Sequence, residues 1–587
     1  MNLKEALKKA FAEKDIPLPK SSDMRKGQGG RQGSSQEAKI VRSRPTGRPN
    51  IERKRATPAS GSGTKNVRDS AIAAGRVKLP TTPTARVVGP QADVDGRGKT
   101  PLIDVNVGAD ISCKVQLPKS QGLQLRPTDL RLGRRESIAG HENVEVRELS
   151  FGLDFGTSSV KVVIADLASD KAYAIPFLIG DGIESYLMPS CLYEAVAPRA
   201  QSSESQFSLS HGERVFRDLK LGLLGSPDDE GRQVEAIAFL SLIIRQARGW
   251  FFETYRGVYG RVRCLWQARI GLPSVSALNN SHVPVLERVL LAAWIAASSD
   301  AEITRSLVNG IRVDLLRGQK PPGAVEISVI PEIAAQVFGF VVSTSFDKKA
   351  ENRFLMVDVG AGTVDSSLFR VLPAPGGYWS FEFYTAVVQP YGVSNLHANR
   401  VSWWEEVLAG KMGAAAALKQ LGFTKYVTDV NALMPAFNRD YFAGIKFSGI
   451  SPDDIDKTFF DSKLMAQVRG STVWRAWKDQ YLTQDQLNGI PMFLCGGGAR
   501  GAYYARIAKE LEHYPNFTWL RAKAWQLQQP SDLNAAGIDK ADYDRLSVAY
   551  GLCKVNVASV TQALPPPKIP TDTQEAFSDR YIDKDQV

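Results

Sequence analysis

Cysteine and histidine are both scarce, with five of each in 587 residues. Cys113, Cys191, Cys264, Cys495 and Cys553 are scattered and form no CxxC pair. That pattern excludes a disulfide framework and a cysteine-built zinc site, and it suits a reducing compartment. The histidines are equally dispersed and no HExxH occurs, so each reads as a surface or packing residue rather than a ligand. Long apolar runs are missing as well. The most apolar stretches, VEAIAFLSLII from Val234 and VLLAAWIAA from Val289, fall short of the roughly 18 residues that span a bilayer and read as buried helices. MNLKEALKKAFAEKD at the start has no secretory apolar region. Together these absences predict a cytoplasmic protein. The contents of 43% hydrophobic and 9% aromatic residues are ordinary for a globular chain.

The positive charge sits at one end. Residues 1–100 hold about 22 Lys and Arg against about 9 Asp and Glu, which accounts for all of the net +11 and leaves the remainder near neutral. From Ser21 to Gly98 the chain is rich in Gly, Ser, Pro, Arg and Lys, too poor in apolar residues to offset the entropy of ordering, and is expected to be disordered. A short amphipathic helix is expected over 2–14, with Leu3, Ala6, Leu7 and Phe11 on one face. This basic tail reads equally as a tether for nucleic acid or an acidic surface and as a solvated linker. It has no stacking aromatics between 21 and 98, which argues against base-specific recognition. Residues 101–148 read as a linker or docking segment.

From Glu148 onward strand-like runs alternate with helix-length amphipathic stretches, an α/β pattern. Residues 401–490 read as a helical insertion, and 557–587 as a flexible, Pro-rich end. Within this body three turns have the size and chemistry to meet a phosphate. The first, FGLDFGTSSVKVVIADL from Phe151, breaks an apolar run with Asp154 and continues through Gly156, Thr157 and Ser158. Alone, it is also what a β-hairpin with a polar tip looks like. The second, FLMVDVGAGTVDSSLFRV from Phe354, repeats the plan as DxGxGTxD, with Asp358, Gly360, Gly362, Thr363 and Asp365. Glycines let successive backbone N–H groups point at an anion, and one or two carboxylates suffice for a hydrated magnesium ion. The third, MFLCGGGARGAYYARIAKELE from Met492, passes from a strand through Gly496, Gly497, Gly498 and Arg500 into a helix, a geometry favourable to anions.

In this order, with roughly 200 and 140 residues between them, the three turns resemble the nucleotide-binding signature of the superfamily that contains actin, the ATPase domain of DnaK-type heat-shock chaperones and sugar kinases. YLMPSCLYE, VIPEIAAQVFGF and RLSVAYGLC add to the likeness, which covers about residues 149–556. The resemblance implies a two-lobed α/β fold built on duplicated five-stranded mixed sheets, with lobe I at 149–350, lobe II at 351–556 and a return of 540–556 to lobe I. It also implies ATP or ADP with Mg²⁺ in the cleft. Asp154 and Asp358 would face the metal's water shell with Asp365 behind them. Gly156, Thr157 and Ser158 would wrap the β- and γ-phosphates, and Gly360, Gly362 and Thr363 would cradle the terminal ones. Gly496, Gly497, Gly498 and Arg500 would border adenine and ribose, Arg500 stacking on the base.

Glu332 is the candidate to align attacking water, although the family's acid precedes the proline of this helix start and here the order is Pro-Glu. The other reading is an exposed acid opening a helix. Lys161 lies where actins and many sugar kinases have a phosphate-contacting lysine, and alternatively faces solvent from a strand. Lys220, in VFRDLKLGLLG, resembles a different lysine, the catalytic one of the chaperones. Gly498 stands where the chaperones have serine. Few residues follow Gly551, too few for a chaperone's substrate-binding domain. The expected function is therefore a slow ATPase acting as a conformational switch for a protein partner. The alternatives are an actin-like scaffold with little turnover and a small-molecule kinase.

Overall fold

The same strand path is laid down twice. A computed structural model describes residues 104–564 apart from 116–122, 140–143, 196–203, 275–281, 321–324, 344–345, 348–349, 426–433, 449–450 and 514–517, all within one compact unit, Arg97–Val587. The basic tail over 1–100, its helix over 2–14 and the chain beyond 564 lie outside the described residues.

In the first sheet β1 (Glu145–Phe155), β2 (Ser159–Asp166) and β3 (Lys171–Ala174) form an antiparallel meander. Beyond β1, β4 (Val262–Leu272) and β5 (Glu326–Pro331) add in parallel, giving the order β5-β4-β1-β2-β3. The second sheet has its own antiparallel meander, β6 (Arg353–Val359), β7 (Val364–Ala374) and β8 (Tyr378–Gln389). Strands β9 (Asn488–Cys495) and β10 (Arg521–Trp525) then add in parallel beyond β6, so the order is β10-β9-β6-β7-β8.

Three expectations need correction. The sheets are not five-stranded but seven- and six-stranded. Leu533–Asn534 adds in parallel to β3, Met188–Pro189 pairs with β2, and Val557–Gln562 adds in parallel to β8. The end expected to be flexible from 557 is thus strand as far as Gln562, because the outer edge of β8 offers backbone groups to pair with. The stretch expected as a helical insertion over 401–490 is helical only in part. A strand, Phe442–Ser448, pairs antiparallel with Asp104–Cys113.

Helices fill the faces in an order the strand periodicity dictates. Helix α1 (Leu219–Gly225) precedes the long α2 (Glu230–Thr254), which is capped by Asp229 accepting from the Arg232 N–H at 2.9 Å, and α3 (Val283–Ser298) follows β4. α4 (Glu332–Val341) follows β5, α5 (Val393–Val407) follows β8, and α6 (Ser547–Lys554) follows β10. On β1 and β2 alternate residues (Phe151, Leu153, Val162, Ile164) pack against α2 and α3. Their neighbours Val163 and Ala165 join a second core with α4, α6 and the second sheet's Phe354, Met356 and Phe383. The far face of that sheet (Leu355, Val357, Leu368) packs under helical residues such as Phe460 and Val468. The two sheets therefore sandwich α4 and α6. These helices touch where Gly551 meets the backbone of Ala335, so closely that any side chain at 551 would overlap the Ala335 carbonyl oxygen.

Residues 123–138 dock on the outer helices. Both Trp266 Nε1 and Trp294 Nε1 donate at 2.6 Å to Glu136, the first to its carbonyl and the second to its carboxylate. Among the described residues no helix is long and apolar enough to cross a membrane.

Candidate functional site

Two hairpins with one register meet at a cavity. In the first, Asp154 near the end of β1 lies opposite Lys161 of β2, and Lys161 Nζ donates to Asp154 Oδ2 at 2.9 Å. The intervening turn is pinned from outside: Ser190 Oγ donates to the Gly156 carbonyl at 2.7 Å, and the Ser190 N–H donates to the Ser158 carbonyl at 2.9 Å. In the second, Asp358 near the end of β6 lies opposite Asp365 of β7. Its turn closes on the Gly360 N–H donating to the Thr363 carbonyl at 2.9 Å. Register positions that hold Asp and Lys in one hairpin thus hold two aspartates in the other.

The third turn reaches the same place because β9 pairs with β6 so that Cys495 sits opposite Asp358. Each of its glycines is required by what it touches. Gly496 has φ +87°, and a side chain there would overlap Asp358 Oδ1. A Cβ at Gly498 would come within 2.6 Å of both Val359 Cγ1 and Val393 Cγ2. A Cβ at Gly497 would press on the Arg545 guanidinium.

The cavity enclosed by these turns measures about 430 Å³. Asp154, Gly156, Thr157, Ser158 and Lys161 line it from the first hairpin, and Asp358, Gly360, Thr363 and Asp365 from the second. Gly496, Gly497 and Gly498 form a further wall, and Glu332 and Lys220 complete it from the starts of α4 and α1. Lys220 is buried and donates to Glu332 Oε1 in a tight ion pair. It is brought there by Asp218, which opens α1 in the left-handed region at φ +54°, an uncommon and costly conformation for a non-glycine residue.

Charge in the cavity is unevenly compensated. Burial, then the neighbouring Glu332 and Asp154, push the Asp358 carboxyl up to about 6. Asp365 is pushed up to about 7, chiefly by burial and also by Asp358 and Glu332, although Ser367 Oγ donates to it at 3.0 Å and the Ser274 N–H at 3.3 Å. Burial alone would lower Lys220, but Glu332, Asp154 and Asp358 outweigh it and hold its pKa above the usual lysine value. No family model matches the chain, and no curated protein matches it. Glycine turns and two lysines suit a polyanion, and carboxylates destabilised by burial and by one another suit a cation beside it. Among the described residues no three His, Cys, Asp or Glu side chains cluster tightly enough to hold a metal ion directly.

Two expected site residues do not line the cavity. Gly362 sits behind Thr157, whose Cγ2 would lie 3.2 Å from a Cβ at 362, and its carbonyl accepts from Asn395 Nδ2 at 2.5 Å. Arg500 is tied to the Lys540–Arg545 turn: Nη2 donates to Asp544 Oδ1 at 2.7 Å, is 3.0 Å from Asp542 Oδ1, and donates to the Ala541 carbonyl at 3.0 Å. Both carboxylates hold Arg500 against that turn. The arginine that does line the cavity is Arg545.

Sequence reading also missed Gln336, whose Nε2 donates to Asp358 Oδ2 at 2.9 Å while its buried Oε1 has no partner. The signal was present: Gln336 is the sole polar side chain among the apolar residues of EIAAQVFGFV after Glu332, and it lies one helical turn from that acid, on the same face.

Proposed function

We propose that this chain is an ATP-binding, magnesium-dependent ATPase of the actin and heat-shock-chaperone type, in which a two-lobed actin-like fold works as a nucleotide-driven conformational switch. One observation carries the reading. The path β5-β4-β1-β2-β3 recurs as β10-β9-β6-β7-β8, and the aspartates at the same hairpin position of each copy, Asp154 and Asp358, line a single cavity with the Gly496–Gly498 turn. A duplication that brings equivalent acids together is what a site shared between two lobes requires.

The residues fit such a ligand. Thr157 and Ser158 of the first turn and Ala361 and Thr363 of the second line the cavity and would offer backbone amides to the phosphates, and Lys161 and Lys220 would offer cationic partners once drawn from Asp154 and Glu332. Asp154, Asp358 and Asp365 would hold magnesium through its water shell, and a cation there would offset the burial and mutual repulsion that raise the last two. Magnesium, when bound, would neutralise phosphate charge. Gln336 fixes Asp358 by its donor side and leaves its oxygen free to orient water. Catalysis on this plan depends on positioning and charge neutralisation.

A second reading, a nucleotide-binding scaffold with little turnover, is favoured by the Lys220–Glu332 pair, which occupies the acid otherwise available to align water. Titrating the full chain with ATP and magnesium while following affinity and phosphate release separates the two. Binding with release supports the switch, binding without release supports the scaffold, and absence of binding overturns both.

A further inference from the structure

One stretch of chain belongs to both sheet bodies. Before the chain enters β1, it docks first on the body of the second sheet and then on that of the first. Asp104–Cys113 pairs antiparallel with Phe442–Ser448, and the Lys114 N–H donates to the Tyr441 carbonyl at 2.8 Å. Val105 and Val115 are buried in one core with Val401, Trp404 and Tyr441. The helix that carries Val401 and Trp404 is α5, whose first residues, Val393 and Ser394, line the cavity.

The second seat lies on the body of the first sheet, where Leu123, Leu125, Leu132 and Ile138 pack on the core beneath α2 and α3. The Arg126 N–H donates to the Phe177 carbonyl at 2.8 Å, and the Ile179 N–H to the Gln124 carbonyl at 3.0 Å. Gln246 Nε2 of α2 donates to the Arg126 carbonyl and to Thr128 Oγ1, both at 2.8 Å. Glycines on each side bring main chain to the contact. A Cβ at Gly133 would stand 2.0 Å from the Arg245 carbonyl oxygen, and one at Gly249 would stand 2.7 Å from Thr128 Cγ2. Glu136 favours the charge of Arg248, a fully buried guanidinium 4.7 Å from the centre of the Trp294 ring. The chain from Phe177 runs on to Glu184, whose charge acts on Arg545 at the cavity wall. Both seats therefore back onto elements that bound the cavity.

We infer that the two docked segments, 104–115 and 123–138, act as a strap that restrains the two sheet bodies from parting around the cavity, and so slows exchange of the ligand held there. Seven residues join Val115 to Leu123, a link that reaches about 29 Å at most. Wider separation requires one seat to be given up, and each is costly to leave. The first exposes Val105 and Val115, and the second strips a buried arginine of the acid that favours its charge. The inference rests on the switch reading above for the motion it restrains, and its two readouts fail separately.

The test lengthens the link and leaves both seats intact, by inserting about twenty Gly and Ser residues between Lys119 and Ser120 of the full chain. A link raised from seven to about twenty-seven residues makes reseating of a released end about sevenfold less favourable. Hydrogen exchange of the ligand-free protein, read by mass spectrometry, is expected to quicken about sevenfold at Gly156–Ser158 and Gly496–Gly498 and to stay unchanged within β1 and β6. Release of a fluorescent ADP, followed by stopped flow in magnesium, is expected to quicken by about the same factor. The same insertion between Gly376 and Gly377, in the exposed turn joining β7 to β8, is expected to change neither rate. Val107→Asp, which sets a charge against the core around Trp404, is expected to act as the long link does and carries the test if the lengthened chain fails to fold. Unaltered exchange at the two turns, equal quickening by the Gly376–Gly377 insertion, or unaltered release from a chain that binds ADP overturns the inference. A wild-type chain that binds no ADP overturns the nucleotide reading, and hydrogen exchange then decides the strap.

Discussion

Asp358 and Asp365 face each other across β6 and β7, in the register that Asp154 and Lys161 occupy across β1 and β2. One hairpin carries an internal counterion and the other does not. The second hairpin therefore concentrates the uncompensated negative charge of the cavity.

A pH dependence follows from that imbalance. The Asp358 and Asp365 carboxyls stand at about 6 and about 7, above the ordinary carboxylate value near 4. Folding therefore tightens proton binding. The stability this contributes is full below about pH 4 and is lost as pH rises toward about 7. In thermal melts of the ligand-free protein, the melting temperature of Asp365→Asn minus that of wild type should climb between pH 5 and pH 8. A flat difference would contradict the assigned shift.

Loss of one partner from the Lys220–Glu332 pair should be costly. Lys220→Met strands Glu332 among other acids and should destabilise by about 1–3 kcal/mol in urea unfolding, less than a fully sealed pair because Glu332 retains some exposure. The double variant Lys220→Met, Glu332→Gln should recover part of that loss. A double variant as unstable as the sum of the two singles would mean the groups do not interact.

Gly498 lacks room for a serine. With Val359 and Val393 methyls 2.6 Å from a would-be Cβ, Gly498→Ser should destabilise by about 1–3 kcal/mol. Adding Val393→Ala should return some of it in the same denaturation assay. No change on Gly498→Ser would show that the turn yields freely.

For turnover, Asp358→Ala should reduce ATP-dependent phosphate release by at least about a hundredfold while the far-ultraviolet circular dichroism of the chain is retained. Unchanged release would remove the hydrolytic reading.

Much of the site was legible because it is written in local patterns. Period-2 runs broken by Asp and Gly announce the hairpins, and three consecutive glycines after an apolar strand announce the third turn. What stayed hidden depends on long-range pairing. Nothing local marks Asp104–Cys113 as the partner of Phe442–Ser448, more than 300 residues away, or Val557–Gln562 as the edge of the second sheet. The two arginines show the same limit. Arg500 sits in the motif and Arg545 in an unremarkable ADYDR turn, and only the positions of Asp542 and Asp544 decide which one is captured. Gln336 lies between these cases, visible as a polar break in an apolar helix but without a partner until Asp358 is folded beside it.

The bare meeting of Gly551 with Ala335 has a mechanical consequence. Main chain rests on main chain there, with no side chain between to deform or change rotamer, so sliding one helix along the other forces atoms into overlap at once. Tilting about the contact moves those atoms least. Any swing of one sheet relative to the other would thus hinge at this point like a door on a pin, and its arc would be greatest at the rim of the cavity farthest from that pin.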